Sequence, residues 1–390
     1  MRKLLALVLA SSVLVGPGTA VVVPQSRSET PAYEARRAGD VVQLEDRAHG
    51  VVVSVLTSVG NIAYAMTVRG ENVLRFPFRT PEEYKARPTG LHGIPLMAPW
   101  ANRLDERAFY ANGKRYPFDM DLGNVGLTGG VPIHGFMSRT DKWEVVEMRQ
   151  DGDAAWLTGR LETFRQPSWM KQWPFAHTIE MTYRLAGGEL EVRTKIINHS
   201  AEPMPVAIGY HPYFQLTDSP RDEWTIMVPA RTRWLLSSQK LPTGSTEGTD
   251  RFFDDFTGML KDYNLDDVFT DLVRDDAGRA TATVKGRRQR IDLSLGPHYK
   301  ALVVYSPNPA NTGRGSQAAG SEPSRAPTPA QPAATGAPNA RPSENFVCFE
   351  PMAGITNALN LAHKGLYGEL QSVAPGGTWQ ESFWVRPSGF

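Results

Sequence analysis

The stretch from Thr178 to Asn198, TIEMTYRLAGGELEVRTKIIN, predicts the fold class more directly than any other part of the chain. Apolar and polar residues alternate over Thr178–Leu185 and again over Leu190–Ile196, and Gly187 and Gly188 separate the two runs. Alternation of this kind is typical of a half-buried strand, and a Gly-Gly pair suits a tight hairpin turn. The stretch therefore predicts two antiparallel strands.

The same β-like pattern continues along most of the chain. Further short runs of this kind are Val51–Leu56, Trp156–Leu161, Trp224–Pro229, Ala301–Tyr305 and Phe346–Phe349. Long helical periodicity is nearly absent, and 35 Gly and 30 Pro interrupt the sequence every few residues. Many short strands with frequent turns favour an all-β fold, a large antiparallel sandwich or barrel. The lack of a repeating period argues against a solenoid or a propeller.

The N-terminal region differs from this β-rich part. Residues 1–20 combine Arg2 and Lys3 with a short apolar run and small residues that suit cleavage, which predicts a signal peptide. A buried helix or an uncleaved anchor is the alternative. The protein is therefore expected to be exported, either to the periplasm or out of the cell. Residues 21–40 are polar and irregular and predict a flexible tether.

Residues 41–390 predict a single domain with one insertion. From about 307 to 345 the chain is rich in Pro, Ala and Gly and has no aromatic residue and no Val, Leu, Ile or Met between Ser306 and Asn345. Such a segment buries too little apolar surface to offset its ordering entropy. It predicts a disordered surface loop between two adjacent strands.

Charge and composition limit the possible partners. Lys and Arg total 42 against 41 Asp and Glu, a formal net charge of +1, which predicts no nucleic-acid partner and favours a neutral small molecule over a polyanion. No segment after the predicted signal is apolar enough to span a membrane. The single cysteine, Cys348, excludes an intrachain disulfide and is expected to be a small buried residue. The sequence does not indicate an oligomeric state.

Three residues stand out as candidates for chemistry. His134 lies in a glycine-bearing turn, His211 lies where strand alternation places Gly209, His211 and Tyr213 on one face, and Glu350 ends an apolar strand. The chain has no His-Glu-x-x-His and no paired cysteines for zinc, and no Gly-x-Ser-x-Gly for a serine hydrolase. Acid/base catalysis without a metal remains, and the residues alone lead no further.

A series of short motifs surrounds these candidates. In chain order they are GIPLMAPWANRL (93–104), GKRY (113–116), HGF (134–136), GYHPYFQL (209–216), DDVF (266–269), FEP (349–351), TNA (356–358) and PGG (375–377). In this order and at these separations the chain resembles the aldose 1-epimerase, or galactose mutarotase-like, family. The resemblance implies a large antiparallel β-supersandwich with an open sugar-binding cleft and no cofactor. It also implies an isomerase that interconverts the α and β anomers of a free hexose.

The resemblance also implies roles for individual residues. Glu350 would remove the proton of the C1 hydroxyl and His211 would protonate the ring oxygen, and reference pKa values of about 4.3 and 6.5 give a carboxylate and a partly protonated imidazole. The residues implied to bind the sugar are His134, Arg103, Asn102 and Asp266, with Asp267 as the alternative to Asp266 and Trp100 or Tyr213 as stacking residues.

Departures from the family pattern leave other functions open. The shortened segment Ile133–Phe136, followed by Arg139, resembles the hexose-6-phosphate 1-epimerase branch, where arginines hold a phosphate, and Gln215 replaces a usual Asn. A non-catalytic carbohydrate-binding protein on the same fold is a further alternative. The preferred aldose does not follow from the sequence.

Overall fold

The computed structural model describes residues 31–308 and 345–390. In the first half of the chain, the strands are β1 (Tyr33–Ala38), β2 (Val41–Asp46), β3 (Val51–Leu56), β4 (Ile62–Val68), β5 (Glu71–Asn72), β6 (Leu96–Met97), β7 (Ala108–Ala111), β8 (Lys114–Pro117), β9 (Leu127–Thr128), β10 (Val131–Pro132), β11 (Glu144–Gln150), β12 (Ala155–Glu162), β13 (His177–Ala186) and β14 (Glu189–Asn198). The later strands are β15 (Met204–Val206), β16 (Gly209–Tyr210), β17 (Tyr213–Phe214), β18 (Thr225–Met227), β19 (Ala230–Leu236), β20 (Pro242–Gly248), β21 (Thr257–Met259), β22 (Leu265–Leu272), β23 (Ala280–Lys285), β24 (Arg290–Leu295), β25 (Ala301–Ser306), β26 (Val347–Met352), β27 (Gln371–Val373) and β28 (Thr378–Ser388). The helices are α1 (Pro81–Ala86), α2 (Pro167–Gln172) and α3 (Ala358–His363).

The predicted hairpin lies within a nine-stranded sheet. Its strand order is β11-β12-β13-β14-β28-β24-β23-β18-β21, and every pair in it is antiparallel. Strands β13 and β14 pair from His177 opposite Asn198 to Ala186 opposite Glu189. Gly187 and Gly188 have φ of 58° and 74°, as the tight turn requires. The hairpin prediction is therefore confirmed.

Two further sheets complete the layers. An eight-stranded sheet has the order β20-β19-β22-β25-β26-β16-β6, with β17 also paired to β26, and a five-stranded sheet runs from β1 to β5 in sequence order. Three two-stranded ribbons, β7-β8, β9-β10 and β15-β27, lie beside them. The other β-like runs found in the sequence correspond to β3, β12, β18, β25 and β26. The all-β, antiparallel prediction is confirmed.

The core lies between the sheets and follows the alternation in the sequence. In β13 the side chains of Ile179, Met181, Tyr183 and Leu185 are fully buried, and each contributes about 1.5–3 kcal/mol to folding. Two tyrosine hydroxyls join the layers. Tyr183 in the nine-stranded sheet donates to the carbonyl oxygen of Asn61 at 2.8 Å. Tyr210 in the eight-stranded sheet is hydrogen-bonded to Thr194 of β14 at 2.5 Å. These bonds set the sheets against one another.

The prediction of a flexible tether over residues 21–40 is wrong at its C-terminal end. Residues Tyr33–Ala38 form β1, which pairs with β2 along its whole length. Tyr33 is buried and its hydroxyl accepts from the backbone N–H of Gly187 at 3.0 Å, which anchors this edge strand. With only Tyr33 buried, the sequence YEARRA carries too weak an alternation to predict a strand.

Several predictions about the chain's organisation lie outside the described residues. These are the signal peptide at 1–20, the start of the tether and nearly all of the insertion at about 307–345. The described residues from Ala32 onward form one compact unit. Within 31–308 and 345–390 there is no helix long and apolar enough to cross a membrane. Cys348 is buried, and burial raises the pKa of its thiol.

His177, at the start of β13, makes folding sensitive to acid. It is buried, its Nδ1 donates to the carbonyl oxygen of Phe175 at 2.7 Å, and burial lowers its pKa to about 4. The pKa of His177 is lower in the folded state than in the unfolded state, so the folded protein favours the neutral ring. The stability that depends on this neutral ring is fully present above about pH 6.5 and is lost as the pH falls toward 4. We expect His177 alone to remove about 2–3 kcal/mol of stability between pH 7.5 and 4.5.

Urea unfolding of the wild type and of His177→Gln at the two pH values measures this difference. The difference in unfolding free energy between the wild type and His177→Gln should be about 2–3 kcal/mol smaller at pH 4.5 than at pH 7.5. His363→Gln, at an exposed histidine, is the matched control and should track the wild type. A gap that stays constant between pH 7.5 and 4.5 would contradict the prediction.

Candidate active site

Glu350 lies in the middle of the eight-stranded sheet. It is on β26, opposite Val303 of β25, and its side chain is 1% exposed. Its Oε1 lies 3.0 Å from Nε2 of His211, while its Oε2 has no partner among the described residues. Burying a carboxyl group with an unused oxygen is unfavourable for folding. That oxygen keeps an unused hydrogen-bonding capacity, which is typical of a functional site.

His211 is held between the two short strands β16 and β17. Its backbone N–H donates to Pro95 at 3.1 Å, and its ring stacks on that of Tyr213 with centroids 4.6 Å apart and planes 14° apart. At Gly209, two residues earlier, a Cβ would come within 2.9 Å of side-chain atoms of Ala101 and Met352. The stack of His211 on Tyr213 agrees with the prediction that strand alternation brings them to one face.

His134 reaches the same place through an unusual backbone turn. It has a φ of 58°, in the left-handed region, and its N–H donates to the carbonyl oxygen of Asn102 at 2.9 Å. Gly135 follows with a φ of 61°, and a Cβ there would lie 2.0 Å from the carbonyl oxygen of Ala98. The glycine is therefore required, and the turn places the His134 ring 5.5 Å from that of His211 at 83°.

Arg103 and Asp266 form an ion pair that connects two distant parts of the chain. Nη2 of Arg103 lies 3.3 Å from Oδ2 of Asp266, and both side chains are partly exposed, at 17% and 18%. Asn102 is buried, and its side-chain oxygen accepts from Nη1 of Arg103 at 3.0 Å. Asn102 thus orients Arg103, and its burial does not favour the direct sugar contact predicted for it.

Helix α3 supports the loop that carries Arg103. Asn357, directly before the helix, accepts from the backbone N–H of Asp105 at 3.2 Å. Asn360 donates to the Asp105 carboxylate at 2.8 Å, and Lys364 also contacts this carboxylate. These contacts fix the chain two residues beyond Arg103.

The structure distinguishes Asp266 from its neighbour Asp267. Asp267 is completely buried and accepts two hydrogen bonds from Arg233, at 3.0 and 2.7 Å. Asp266 is partly exposed beside Arg103. Adjacent residues of a strand point to opposite faces, so only one of the two can face Arg103 and the candidate site. That residue is Asp266, and Asp267 belongs to the core.

One aromatic residue, Tyr305, lies at the site although the sequence alone does not indicate it. Tyr305 lies opposite Asp266 in the pairing of β22 with β25, and its ring stands edge-on to that of His211 at 5.9 Å. The pairing of β22 with β25 would have indicated Tyr305 as a site residue, had the register been known.

The prediction that Trp100 could stack on a sugar is wrong, because its side chain is fully buried against Phe118 and Phe136.

Burial shifts the pKa values of the central groups in opposite directions. It lowers the pKa of His211 to about 3 and lowers that of His134 well below 6.5, with His211 and Arg103 adding to the latter shift. It raises the pKa of Glu350 well above 4.5, and the charge of Asp266 adds to this effect. Burial thus favours the neutral form of both His211 and Glu350, whereas the reference values predict a carboxylate beside a partly protonated imidazole.

The predicted residues therefore come together. Glu350 contacts His211, the rings of His134 and Tyr305 pack against His211, and Asp266 pairs with Arg103. In the described ranges, no group of three His, Cys, Asp or Glu side chains has an arrangement that could hold a metal ion. The site combines a carboxyl–imidazole pair with hydrogen-bonding groups for a polar ligand.

Solved structures share this fold. A galactose mutarotase-like protein from Clostridium acetobutylicum matches with a TM-score of 0.70 and 19% identity, covering 92% of this chain and 98% of that one. Galactose 1-epimerase from Lactobacillus acidophilus matches with a TM-score of 0.65 and 17% identity, covering 92% and 98%. An aldose epimerase homologue from C. elegans matches with a TM-score of 0.62 and 17% identity, covering 87% and 96%. The β-supersandwich prediction is thereby confirmed.

Sequence comparison identifies the family. A model of the aldose 1-epimerase family matches residues 40–386, which include every residue of the candidate site and all of the described strands except β1 and the last two residues of β28. This chain belongs to the aldose 1-epimerase family.

Proposed function

We propose that this chain is an exported mutarotase that interconverts the α and β anomers of a free hexose. The contact between Glu350 and His211 carries the proposal, because it places two groups that share one proton within 3.0 Å of one another. Opening a pyranose ring needs one proton removed from the C1 hydroxyl and one delivered to the ring oxygen. The basic start and apolar run of residues 1–20 support the export part of the proposal.

The proton shared by Glu350 and His211 lets the pair act as both the base and the acid of the reaction. Its movement from Glu350 to His211 along their contact produces a carboxylate and an imidazolium. The sugar's C1 hydroxyl and ring oxygen then take the place of that direct contact. Glu350 accepts the hydroxyl proton, His211 protonates the ring oxygen, and the C1–O5 bond breaks to give the open-chain aldehyde. Rotation about C1–C2 and the reverse transfers close the ring as the other anomer, which restores both groups.

The surrounding residues hold the sugar. Arg103 donates and Asp266 accepts hydrogen bonds from hydroxyls, and His134 offers an Nδ1 that has no partner in the described part of the protein. Charge-assisted hydrogen bonds of this kind are stronger than neutral ones. Tyr213 keeps the His211 ring in place by stacking, so it acts as a positioning residue.

Substitution by Asn should affect different properties at Asp266 and at Asp267, namely KM at the first and stability at the second. We expect Asp266→Asn to raise KM about ten-fold, because a charged hydrogen-bond acceptor is lost, with little change in stability since its ion pair is partly exposed. Asp267→Asn should lower the unfolding free energy by about 3 kcal/mol, because it leaves the Arg233 pair broken in the core. Steady-state kinetics and urea unfolding of both variants measure this, and equal effects in the two would contradict the assignment.

Polarimetry tests the proposed function directly. Freshly dissolved α-glucose and α-galactose are followed with and without the purified protein, and glucose 6-phosphate is assayed in parallel. Faster decay of the optical rotation of a free hexose is the expected result. A folded protein that accelerates neither free sugar would overturn the proposal, and a preference for the phosphorylated sugar would replace it with the hexose-6-phosphate reaction.

A further inference from the structure

The proposed reaction needs a positive charge on His211, and the hydrogen bonds around this ring do little to stabilise it. Nε2 of His211 lies 3.0 Å from Oε1 of Glu350, and the sugar takes the place of this contact during ring opening. Nδ1 is buried and has no hydrogen-bond partner among the described residues. In a Ser-His-Asp triad, by contrast, a carboxylate accepts from the second nitrogen of the histidine and stabilises the imidazolium. His211 has no such carboxylate at Nδ1 in the described part of the chain.

The surroundings of His211 also disfavour its charged form. Burial lowers the pKa of His211 to about 3, its own backbone carbonyl offsets only part of this effect, and Arg103 and His92 lower the pKa further. His134, whose ring stands 5.5 Å away at 83°, is driven to its neutral form by burial. A further group has to favour the imidazolium if His211 is to take up a proton during the reaction.

One aromatic ring lies parallel to His211. The centroids of the His211 and Tyr213 rings are 4.6 Å apart and their planes differ by 14°, whereas the rings of Tyr305 and His134 stand at 73° and 83° to His211. The face of an aromatic ring carries negative electrostatic potential and attracts a cation within about 6 Å of its centroid, most strongly where water is excluded. Since His211 is buried, its stack on Tyr213 is a contact of this kind.

The backbone holds Tyr213 in this position. Its N–H donates to the carbonyl oxygen of Gly93 at 2.9 Å, and its carbonyl oxygen accepts from the N–H of Arg75 at 2.9 Å. Tyr213 of β17 lies opposite Cys348 of β26. Because Cys348 and Glu350 are two residues apart on β26, Tyr213 projects to the same face of the sheet as Glu350. The stack is therefore fixed by the same sheet that carries the carboxyl group.

We propose that the ring face of Tyr213 stabilises the imidazolium that His211 forms during the reaction and thereby favours transfer of the proton from Glu350 to His211. This inference rests on the proposed mutarotase function and gives Tyr213 an electrostatic effect in addition to its positioning one. The proton leaves Glu350 as a carboxylate and joins Nε2 of His211, while Tyr213 neither gains nor loses a proton. The sugar meets Nε2 in the plane of the imidazole, so the stack on the face of the ring persists throughout ring opening.

A graded series of phenylalanine analogues at position 213 separates charge from shape. Tyr213→Phe is the reference protein, and 4-fluoro-, 3,5-difluoro- and 3,4,5-trifluorophenylalanine then replace that Phe. The analogues differ little in size, but each added fluorine weakens the negative potential of the ring face. We expect kcat to fall step by step and to be about 30-fold lower with three fluorines than in the reference, as the loss of a desolvated cation–π contact predicts. Equal kcat values across the series would overturn the inference.

Phe214 provides the matched control. It follows Tyr213 on β17, is fully buried and points to the opposite face of the sheet, with its ring 6.3 Å from that of Phe349. The same fluorinated analogues in place of Phe214 should leave kcat unchanged. A stepwise fall of the same size at position 214 would show an effect of fluorine on packing and would overturn the inference.

Nuclear magnetic resonance of His211 separates this inference from the proposed reaction. The ¹⁵N shifts of the ring are followed without sugar from about pH 7 to about pH 4, where a pKa of about 3 leaves about a tenth of the ring charged. We expect the imidazolium fraction at the lower pH to be at least about ten-fold smaller in the trifluorinated protein than in Tyr213→Phe. This result would support the inference even if the chain accelerates no mutarotation. Equal fractions in the two proteins would overturn the inference and leave the mutarotase function intact.

Discussion

Glu350→Gln is expected to lower kcat for mutarotation by about 10³-fold, since a positioned general base contributes about 10²–10⁴-fold. Gln keeps the size of the side chain and can still donate an amide hydrogen bond at the position 3.0 Å from His211 Nε2, but it can neither take nor release a proton. KM should change little, because the substitution removes the chemistry and leaves the contacts of Arg103 and Asp266 with the sugar. Initial rates from polarimetry at low buffer concentration measure both constants.

The same variant should fold at least as well as the wild type. Burial raises the pKa of Glu350 above its unfolded value, so its contribution to stability is complete below about pH 4.5 and is lost as the pH rises through the folded value. Gln carries no such titration. We therefore expect its melting temperature at pH 8 to equal or exceed that of the wild type, as is common where a buried active-site group is replaced. A normal rate, or a loss of rate that follows unfolding, would contradict the assigned role.

The chain's sheet architecture could be predicted from the sequence because alternation and turn residues act locally. The hairpin of β13 and β14 follows from side-chain period and from Gly187-Gly188 alone. Strand β1 could not be predicted in this way, since its pairing with β2 and the contact of Tyr33 with Gly187 depend on the finished sheet. Edge strands with few buried side chains have the least local signal.

The site residues could be named from motifs, but their roles depend on burial and register. Asp266 and Asp267 are adjacent and chemically identical, and they differ only in the face of the strand to which they point. One face brings Asp266 to Arg103 in the candidate site, and the other buries Asp267 in an ion pair with Arg233. Trp100 carries no signal in the sequence that it is wholly enclosed. Tyr305 becomes part of the site through its position opposite Asp266 on the neighbouring strand, a long-range pairing that composition does not encode.

Charge states are the least predictable feature of the site. Reference values assign a carboxylate to Glu350 and a partly protonated imidazole to His211, whereas burial in the folded site favours the neutral form of each. In the folded site, desolvation therefore favours a proton on Glu350 rather than on His211 before the sugar binds.

Replacing His211 tests whether the pair acts as a unit. His211→Asn removes the proton donor and should lower kcat by about 10²-fold or more. Because Glu350 and His211 share one proton across a 3.0 Å contact, neither provides its full effect when the other is absent. The double variant Glu350→Gln/His211→Asn should therefore be about as slow as the slower single variant, near a 10³-fold loss, as occurs for catalytic groups that work together. A double variant slowed by the product of the two single losses, about 10⁵-fold, would show two groups that act independently and would contradict the shared-proton mechanism.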